Sequence, residues 1–546
     1  MADYFRRSGV LLALVASASL AHASDLGSVY EQALKTDPTF KQANAQWLVD
    51  QQAYPLALTG DGVAGTGLFP NIDFTSQFDR ARTSTSNTTD ASATGYEWDT
   101  NYALTITQPV FNISTWLSIK EARYSVRAAT ATYLSAGQSL ISRTAVAYLE
   151  VLRDYDILQY DLAAEAALLH ELGVAKNKYS VGLDAATDVY QAQASYDLAR
   201  ATVIKQRVAL ADAKEDLRAI TGEEYPVMAG LPQQIPLVAP APHDINAWVD
   251  TALKQNYTLN ADRMTMEADR VAINTTRMSR LPTVNLLGSY TYDHSTIASI
   301  GRSTEGYVGV SLDLPLFKGG YTFASTKQAR YTYLKASDTV ELERRTIAKS
   351  TRQDYLGVMS GISQIKADWA SVNSSAKELK VTQQSYMVGS STMEDLLSAV
   401  STLFSSIQTW SSDRYDYLES LIQLKYDAGT LSPKDIQYLN SWMTRRVVLN
   451  KRDFSELLHY IKLPRTYLDE FLGPHQSGKR VVPKAIVRPA PHPVTRHVVV
   501  QPKPKPVTNR PVAPPPPVDQ PAAMPEPSFG DDQPVEAIVV LPQPVR

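Results

Sequence analysis

The stretch YVGVSLDLPLFKGG (residues 307–320) combines the two patterns on which the fold depends. Its first ten residues alternate between apolar side chains (Val308, Val310, Leu312, Leu314, Leu316) and small or polar ones (Gly309, Ser311, Asp313). Alternation with a period of two predicts a β-strand with one apolar face and one polar face. After Gly320 the next proline is Pro433, more than a hundred residues later, and the sequence between them is typical of long helix. An amphipathic strand therefore leads directly into very long helices.

The chain repeats itself with an offset of about 207 residues. KYSVGLDAATDVYQA (178–192) parallels SYMVGSSTMEDLLSA (385–399), and TQPVF (107–111) parallels DLPLF (313–317). Further parallel segments follow in the same order, which is the signature of an internal duplication. We therefore predict a channel-forming region of residues 24–446 with two repeats, about 24–230 and 240–446.

Each repeat contains two strand patterns, in the regions 69–111 and 282–317. The alternating segments are residues 71–78, 102–110, 283–293 and 307–316, and the residues between each pair predict loops at 80–97 and 294–304. The polar face of these strands carries Asp73, Asn285 and Asp313. We expect these three side chains to face water and the alternate, apolar side chains to face lipid.

Each repeat also contains a proline-free helical block, about residues 112–222 and 318–428. Both blocks break near the middle at a Val-Gly pair, Val181-Gly182 and Val388-Gly389. A helix that runs from the second strand to Gly182 would be roughly 100 Å long at about 1.5 Å per residue. Each repeat is thus predicted to be strand, strand, long helix, tight turn and long helix.

Composition excludes several classes of function. The net charge is −3, which gives no basic face for nucleic acid. There are no cysteines, and the four histidines of the expected folded body, His170, His243, His294 and His459, include no pair with metal-ligand spacing. Without a recognisable catalytic or metal-binding arrangement, the chain is not expected to be an enzyme or to hold a cofactor or metal.

The two ends of the chain have a different character from the middle. Arg6 and Arg7, an apolar stretch at 10–20 and Ala21-His22-Ala23 predict a signal peptide over residues 1–23. Residues 447–546 form a proline-rich segment and are predicted to be a largely disordered tail. Of the 32 prolines in the chain, 18 lie after residue 480. Between the two, no apolar run approaches the ~18 residues that a membrane-spanning helix needs.

Four amphipathic strands cannot satisfy their own edges inside a bilayer, where every backbone group must be paired and a sheet must close. Membrane barrels have at least about eight strands. The chain is therefore predicted to be an α+β membrane protein that closes its barrel by oligomerisation. Two copies would supply eight strands, and three would supply 12, which is wide enough for a pore.

The duplicated plan and the motifs TQPVF, LPTVNL, LPLFKGG and YSVGLDAATDVYQAQASYDLA resemble the TolC family of outer membrane efflux channels. The resemblance covers about residues 25–440, and the absence of cysteine favours the members that lack a lipid anchor. It implies a homotrimer with a 12-stranded barrel in the outer membrane and a helical barrel in the periplasm. It also implies a passive exit duct for efflux or type I secretion, with a periplasmic adaptor and an inner-membrane transporter of the ABC or RND type.

In that family the periplasmic ends of the helices close the channel. By the motif match, Thr187, Asp188 and Tyr386 correspond to linking positions, and Asp395 corresponds to a ring of acidic residues. Two positions depart from the pattern: Ser391 replaces a linking arginine, and Ser398 replaces a second acidic residue. The resemblance predicts one acidic ring and a weakened second link.

The turns between the long helices are the expected adaptor contact, through Val181, Gly182, Leu183, Val388 and Gly389. A structural role competes with the functional one at these tips. Asp184 is placed to cap the helix that follows Gly182, and Ser391 with Glu394 fits a capping box. Capping and gating are compatible roles for the same residue.

A periplasmic coiled-coil or adaptor protein without a pore is the alternative function. It accounts for the long helices, but it leaves the four amphipathic strands unexplained. The export duct accounts for both and is the preferred interpretation.

Overall fold

The computed structural model of the protein describes residues 24–60, 66–86, 92–295 and 302–449. The predicted signal peptide (1–23) and nearly all of the predicted tail (447–546) lie outside the described residues. Strand β6 (Arg445–Val448) crosses the predicted boundary between residues 446 and 447. We found no helix in these four ranges that is long and apolar enough to cross a membrane.

The first half of the chain begins with three short helices and ends with a short strand. Between them lie two long strands and two long helices. In order, its elements are α1 (Leu26–Thr36), α2 (Pro38–Gln51), α3 (Ala53–Thr59), β1 (Asn71–Ser86), β2 (Ser92–Phe111), α4 (Ile113–Ser180), α5 (Ala186–Thr221) and β3 (Val227–Gly230).

The second half follows a similar order, but it has two helices before its strand pair and an additional short helix before its last strand. Its elements are α6 (Ile245–Gln255), α7 (Tyr257–Met278), β4 (Thr283–Ser295), β5 (Arg302–Asp313), α8 (Tyr321–Met387), α9 (Met393–Asp427), α10 (Pro433–Asn440) and β6. Helices α4 and α8 contain 68 and 67 residues, so each is about 100 Å long. The short strands β3 and β6 pair with each other, which brings the ends of the two halves together.

The four long strands form one antiparallel sheet in the order β1-β2-β4-β5. Ile72, Ile106, Gly288 and Val308 lie side by side across it. The next row, which contains Asp73, Thr105 and Ser289, points to the opposite face. One face is thus apolar and the other polar, as the alternation predicts. Among the described residues, β1 and β5 each have one edge without a partner strand.

The apolar face of the sheet is open in the single chain. Val308 is 82% exposed and Ile72 is 62% exposed. The alternation of the backbone places Asp73, Asn285 and Asp313 together on the polar face, as predicted. On that face Asn101 donates a hydrogen bond to Asp293 across the β2–β4 pair. A continuous exposed apolar face on a sheet is a surface for lipid or for another protein rather than for water.

The strands differ from the prediction at their ends. The strand predicted at 307–316 begins earlier, at Arg302, and ends at Asp313, which pairs with Thr283. Pro315 has no N–H to donate, so it cannot continue the ladder, and the alternation beyond Asp313 is not strand. At the other end, the regions 80–97 and 294–304 are predicted as loops, but the described residues in them, 80–86, 92–97, 294–295 and 302–304, belong to the ladder. Residues 87–91 and 296–301 lie outside the described residues.

Helices α8 and α9 pack as an antiparallel hairpin with polar pairs along one seam. Asp354 lies beside Asp427, Asp368 beside Asp413, and Ser375 beside Ser406 with 3.3 Å between the hydroxyl oxygens. The α8 members follow a heptad spacing, because 354, 368 and 375 differ by fourteen and seven. Burial raises the pKa of Asp354 to about 7, and its neighbour Asp427 adds to the rise. Burial and Asp368 likewise raise the pKa of Asp413 to about 7.

These pairs predict that a rise from acidic to neutral pH weakens the α8–α9 hairpin. Because the pKa of Asp354 is raised in the folded state, the folded chain binds more protons than the unfolded chain between about pH 4 and pH 7, and stability falls as pH rises through this window. Asp354→Asn removes the charge. It should raise the free energy of unfolding at about pH 8 by ~1 kcal/mol, after discounting the full shift for solvent screening. Denaturant unfolding at two pH values measures the change.

The control for this variant is Asp338→Asn, because Asp338 is an exposed carboxylate on the same helix. It should leave stability unchanged at both pH values. If Asp354→Asn stabilised the protein as much at about pH 4 as at about pH 8, the gain would not come from removing a charge.

A buried ion pair joins the end of the second half to the longest helix. Arg445 of β6 forms a salt bridge with Asp156 of α4, and their side chains are 15% and 3% exposed. Tyr415 of α9 donates a second hydrogen bond to Asp156, at 2.7 Å. Tyr148 of α4, also fully buried, donates to the backbone carbonyl of Ala229 in β3 at 2.7 Å. These contacts attach the β3–β6 pair to the helices.

Candidate functional site at the helical hairpin tips

The two long hairpins end in the same type of turn. At the first tip, the N–H of Leu183 donates to the carbonyl of Lys178, and the N–H of Gly182 donates to Tyr179. Gly182 has φ +77°, a left-handed conformation that favours glycine. The second tip repeats the pattern, with Ser390 donating to Ser385 and Gly389 at φ +76°. This Schellman motif ends α4 and α8 and explains both Val-Gly breaks.

Apolar side chains are exposed at both tips. Val181, Leu183 and Val388 are 68%, 75% and 80% exposed, and Met387 beside them is 64% exposed. Nothing in the described chain covers them. Such a cluster at the end of a long hairpin is typical of a surface that another protein covers.

Tyr386 links the two hairpins of the chain. It is the second-last residue of α8 and is 8% exposed. Its hydroxyl donates a hydrogen bond of 2.8 Å to the carboxylate of Asp184, in the turn between α4 and α5. The ammonium of Lys178 lies 3.8 Å from the centre of its ring and 3.9 Å from the Asp184 carboxylate. One phenol, one carboxylate and one ammonium thus join the two tips.

The environment of Tyr386 disfavours loss of its proton. Burial raises the pKa of Tyr386, and the hydrogen bond to Asp184 raises it further because the phenol is the donor. The charges of Asp184, Asp188 and Glu171 add to the shift. Tyr386 therefore stays a neutral hydrogen-bond donor at any physiological pH.

The predicted linking residues of the first hairpin lie close to this group. Asp188 is half-buried in the first turn of α5, and its carboxylate accepts a hydrogen bond from the Thr187 hydroxyl at 3.3 Å. Its charge acts on Tyr386, but the phenol is bonded to Asp184. The prediction that Asp184 caps α5 is wrong: the N-cap is Ala185, and no side chain bonds the end of that helix.

At the second tip, Asp395 has a capping role. It forms a reciprocal capping box with Thr392, accepting from the Thr392 N–H at 2.8 Å while its own N–H donates to the Thr392 hydroxyl at 3.1 Å. The hydrogen bonds from Thr392 lower the pKa of Asp395. The box predicted from Ser391 and Glu394 is therefore wrong by one position, because Thr392 has the extended backbone of an N-cap.

The exposed carboxylate of Asp395 keeps its charge at neutral pH, since its pKa is lowered. Ser398 lies on the next turn of α9 and is also exposed. The structure thus brings Tyr386, Asp184, Lys178 and Asp188 together at one place, and it places Asp395 at the start of the other hairpin's second helix. Sequence reasoning missed Lys178 and the role of Asp184.

The chain combines an amphipathic four-stranded sheet with two helical hairpins whose first helices are long. This is the architecture of a subunit of an outer-membrane export channel. Residues 29–223 and 248–430 match the Outer membrane efflux protein family, and the chain belongs to that family. One matched segment lies in each repeat, and the residues that connect the two repeats are not matched. The prediction of the family from the sequence motifs is confirmed.

Individual relatives agree with this assignment. The chain is 32% identical to outer membrane protein TolC of Vibrio cholerae serotype O1 over 438 residues, which are 79% of this chain and 97% of the relative. It is 24% identical to the proteases secretion protein PrtF of Dickeya chrysanthemi, over 82% of this chain and 97% of the relative. The crystal structure of VceC from Vibrio cholerae has the same fold, with a TM-score of 0.62 at 18% identity, over 74% of this chain and 96% of that one.

The chain is therefore an outer-membrane channel of the efflux and secretion type, which lies in the outer membrane and extends into the periplasm. The expectation that it is not an enzyme is confirmed, because the family is a family of channels. The alternative of a periplasmic protein without a pore is set aside on the same ground.

Proposed function

We propose that three copies of the chain form a passive exit duct, whose 12-stranded barrel lies in the outer membrane and whose helices form a tube in the periplasm. The observation that carries this proposal is the open sheet with one apolar face, because β1 and β5 can be satisfied in a bilayer only by neighbouring copies. Three sheets of four strands make 12, and their polar faces, with Asp73, Asn285 and Asp313, would line a wet lumen.

The helices also need neighbours. Large apolar side chains along α5 are exposed in the single chain, including Tyr190 at 74%, Leu198 at 70%, Val208 at 56% and Ile204 at 55%. A stripe of this kind along a helix is suited to packing against another helix. Adjacent copies around a ring would cover it. In this arrangement the two repeats, about 24–230 and 240–446, give the helical tube an approximate sixfold appearance.

The assembly is tested with detergent-extracted protein. Native mass measurement should give three chains, and the same preparation should conduct ions in planar bilayers. A folded, stable monomer would remove the argument from the sheet edges. Trimers that do not conduct and that fractionate with soluble periplasmic protein would instead favour a periplasmic scaffold.

We further propose that the tips, through Val181, Gly182, Leu183, Val388 and Gly389, bind a periplasmic adaptor that connects the duct to an inner-membrane transporter. The support is the exposure of the apolar side chains on two rigid turns. The relative named for the secretion of proteases and the efflux family suggest proteins and small molecules as cargo. The resemblance of the sequence motifs to the TolC family suggests an ABC or RND transporter as the energy source.

Leu183→Asp should abolish adaptor binding and reduce export at least ~10-fold, because a charge would replace an exposed apolar contact at the centre of the tip. Export assays in cells and co-purification with the adaptor measure the two effects. Asn177→Asp, which adds the same charge at an exposed polar position in the last turn of α4 without removing an apolar side chain, is the control for adaptor binding. Normal export by the Leu183 variant would place the adaptor contact elsewhere.

The resting duct, in this proposal, is closed at the tips by Thr187, Asp188 and Tyr386, with the carboxylates of Asp395 forming a ring of three charges. The support is the position of Tyr386, which joins two hairpins through a buried hydrogen bond to a carboxylate. Three like charges at a narrow axis repel one another, so links between the helices must hold them together. Ser391 offers no cation for such a link.

A further inference from the structure

The described side chains of the four-stranded sheet are separated by charge between its two faces. Both arginines, Arg80 and Arg302, are at positions on the apolar face, and so is His294. The acidic side chains are all at positions on the polar face, namely Asp73, Asp79, Asp99, Asp293, Glu305 and Asp313. Among the described side chains, the face that is suited to lipid therefore carries arginine but no carboxylate.

The two arginines lie toward the end of the sheet that is farther from the long helices. On β5, Arg302 is ten residues from Leu312, which is ~34 Å along the strand at about 3.4 Å per residue. A strand tilt of ~40° makes this ~26 Å across a membrane, close to the ~25 Å height of the apolar band of a membrane barrel. Because the helices extend into the periplasm, Arg302 is expected at the headgroups of the outer leaflet.

Aromatic side chains border the arginines on the same face. Arg302 shares a row of the sheet with Phe78, whose ring packs edge-on against Tyr102 with 5.7 Å between the ring centres. In the next row outward, the guanidinium of Arg80 lies 5.4 Å from the centre of the Trp98 ring, which is 55% exposed. Aromatic rings at this level are typical of the boundary between acyl chains and headgroups.

The arginines also lie on the two edge strands, Arg80 on β1 and Arg302 on β5. In the proposed ring of chains, β5 of one copy adjoins β1 of the next. Arg302 of one copy and Arg80 of the next would then lie on adjacent strands of the outer surface. Each seam between copies would thus present two guanidinium groups to the same lipid headgroup.

An arginine at the edge of the hydrocarbon can also extend its side chain into water and needs no ligand there. Three features favour a ligand with phosphate groups. The face holds arginine on a surface that adjoins lipid headgroups, aromatic rings lie below it, and the described carboxylates point the other way. The planar guanidinium matches two phosphate oxygens at once, and a phosphate monoester carries more than one negative charge at neutral pH.

We propose that the outer end of the apolar face is a binding site for a membrane glycolipid whose headgroup carries phosphate monoesters. Arg302 and the neighbouring copy's Arg80 hold the phosphorylated headgroup, and the aromatic rings around Phe78 pack against the acyl chains. The inference rests on the proposed ring of chains for the position of the sheet in the membrane. It goes beyond that proposal in assigning a lipid ligand and the residues that bind it.

Native mass measurement of full-length, detergent-extracted trimers tests the site, with lipid A as the probe. Lipid A should bind at least ~10-fold more tightly than its dephosphorylated form and than phosphatidylglycerol, whose phosphate is a diester with a lower charge. Arg80→Gln and Arg302→Gln remove one guanidinium each from the shared site. Each should lower the affinity for lipid A by ~10-fold, since charge-assisted hydrogen bonds to phosphate are lost.

Arg280→Gln is the matched control, because Arg280 is an exposed arginine in the turn before β4, at the opposite end of the sheet. It should bind lipid A as the unaltered protein does. A loss equal to that of Arg302→Gln would show a diffuse attraction of charge and overturn the site. Equal affinity for dephosphorylated lipid A or for phosphatidylglycerol would overturn the choice of ligand, and full affinity in both arginine variants would place the phosphates elsewhere.

The same preparation separates failure of this site from failure of the proposed duct. Trimers that conduct ions in planar bilayers but do not prefer lipid A would overturn the lipid site and leave the duct in place. A preparation that contains only monomers would remove the seam between copies and, with it, both proposals.

Discussion

A chain that carries both Asp188→Ala and Tyr386→Phe is expected to form channels with a much larger single-channel conductance and to make cells permeable to solutes of the size of vancomycin. Tyr386 provides the phenol that joins the hairpins, and Asp188 is close enough for its charge to raise the pKa of that phenol. Hydrogen bonds to charged partners contribute roughly 1.5–3 kcal/mol, so loss of one such link per chain should shift the closed state toward the open one by at least ~10-fold.

Asp395→Ala tests the proposed ring of acidic residues independently of the links at Asp188 and Tyr386. It should leave basal conductance nearly unchanged and weaken block by multivalent cations applied from the periplasmic side, because the proposed trimer would lose three exposed carboxylates near its axis. The variant also removes a capping box, so trimer content must be checked first. Unchanged conductance of the Asp188 and Tyr386 double variant, with intact trimers, would place the constriction elsewhere.

Arg445→Leu is expected to lower the free energy of unfolding by about 3 kcal/mol, because breaking a buried ion pair leaves the remaining charge without its partner. The carboxylate of Asp156 is only 3% exposed and would keep one hydrogen bond, from Tyr415. That remaining bond places the expected loss at the lower end of the range. Urea unfolding of the detergent-solubilised protein, followed by circular dichroism, measures it.

Arg345→Leu is the matched control, because Arg345 pairs with Glu341 on the exposed surface of α8, where the side chain of Arg345 is 73% exposed. Exposed ion pairs contribute little to stability, so this variant should unfold as the unaltered protein does. A loss below about 1 kcal/mol for Arg445→Leu would show that water enters the site and solvates Asp156.

The strands and hairpins could be predicted because local patterns determine them. Alternation with a period of two assigned Ile72 and Val308 to one face and Asp73 to the other, and the ladder agrees. The strand ends could not be predicted as well. Residues rich in threonine and serine suit both loops and exposed strands, and here pairing between neighbouring strands extends the ladder into them.

At the tips, the sequence predicts the turns but not the contacts between their side chains. The periodicity of a helix indicates which face a residue lies on, but not which of several carboxylates in a short turn reaches a given partner. Tyr386 bonds to Asp184, and the distance of 2.8 Å depends on how two hairpins more than two hundred residues apart lie against each other. The capping box fell on Thr392 and not on Ser391 because the backbone turns into the helix one residue later.

The buried ion pair had no signal in the sequence. Asp156 lies among other acidic residues of a long helix, and Arg445 lies beside a second arginine in a short strand. Their contact spans 289 residues and depends on the pairing of β3 with β6. One difference between the tips can be read from the offset between the repeats. The offset aligns Tyr386 with Tyr179 but Asp184 with Ser391, so only the first tip has the carboxylate.

The open edges of the sheet also govern how a newly exported chain matures. A lone chain presents the unpaired N–H and C=O groups of β1 and β5 beside a broad apolar face, which is a template for indiscriminate strand addition. In the proposed trimer, productive association stops at three chains, whereas strand addition to open edges can continue without limit, so aggregation rises more steeply than assembly with the supply of free chains. Slow, balanced synthesis with holding chaperones favours correct assembly, whereas a burst of overproduction exposes many templates at once and favours aggregates.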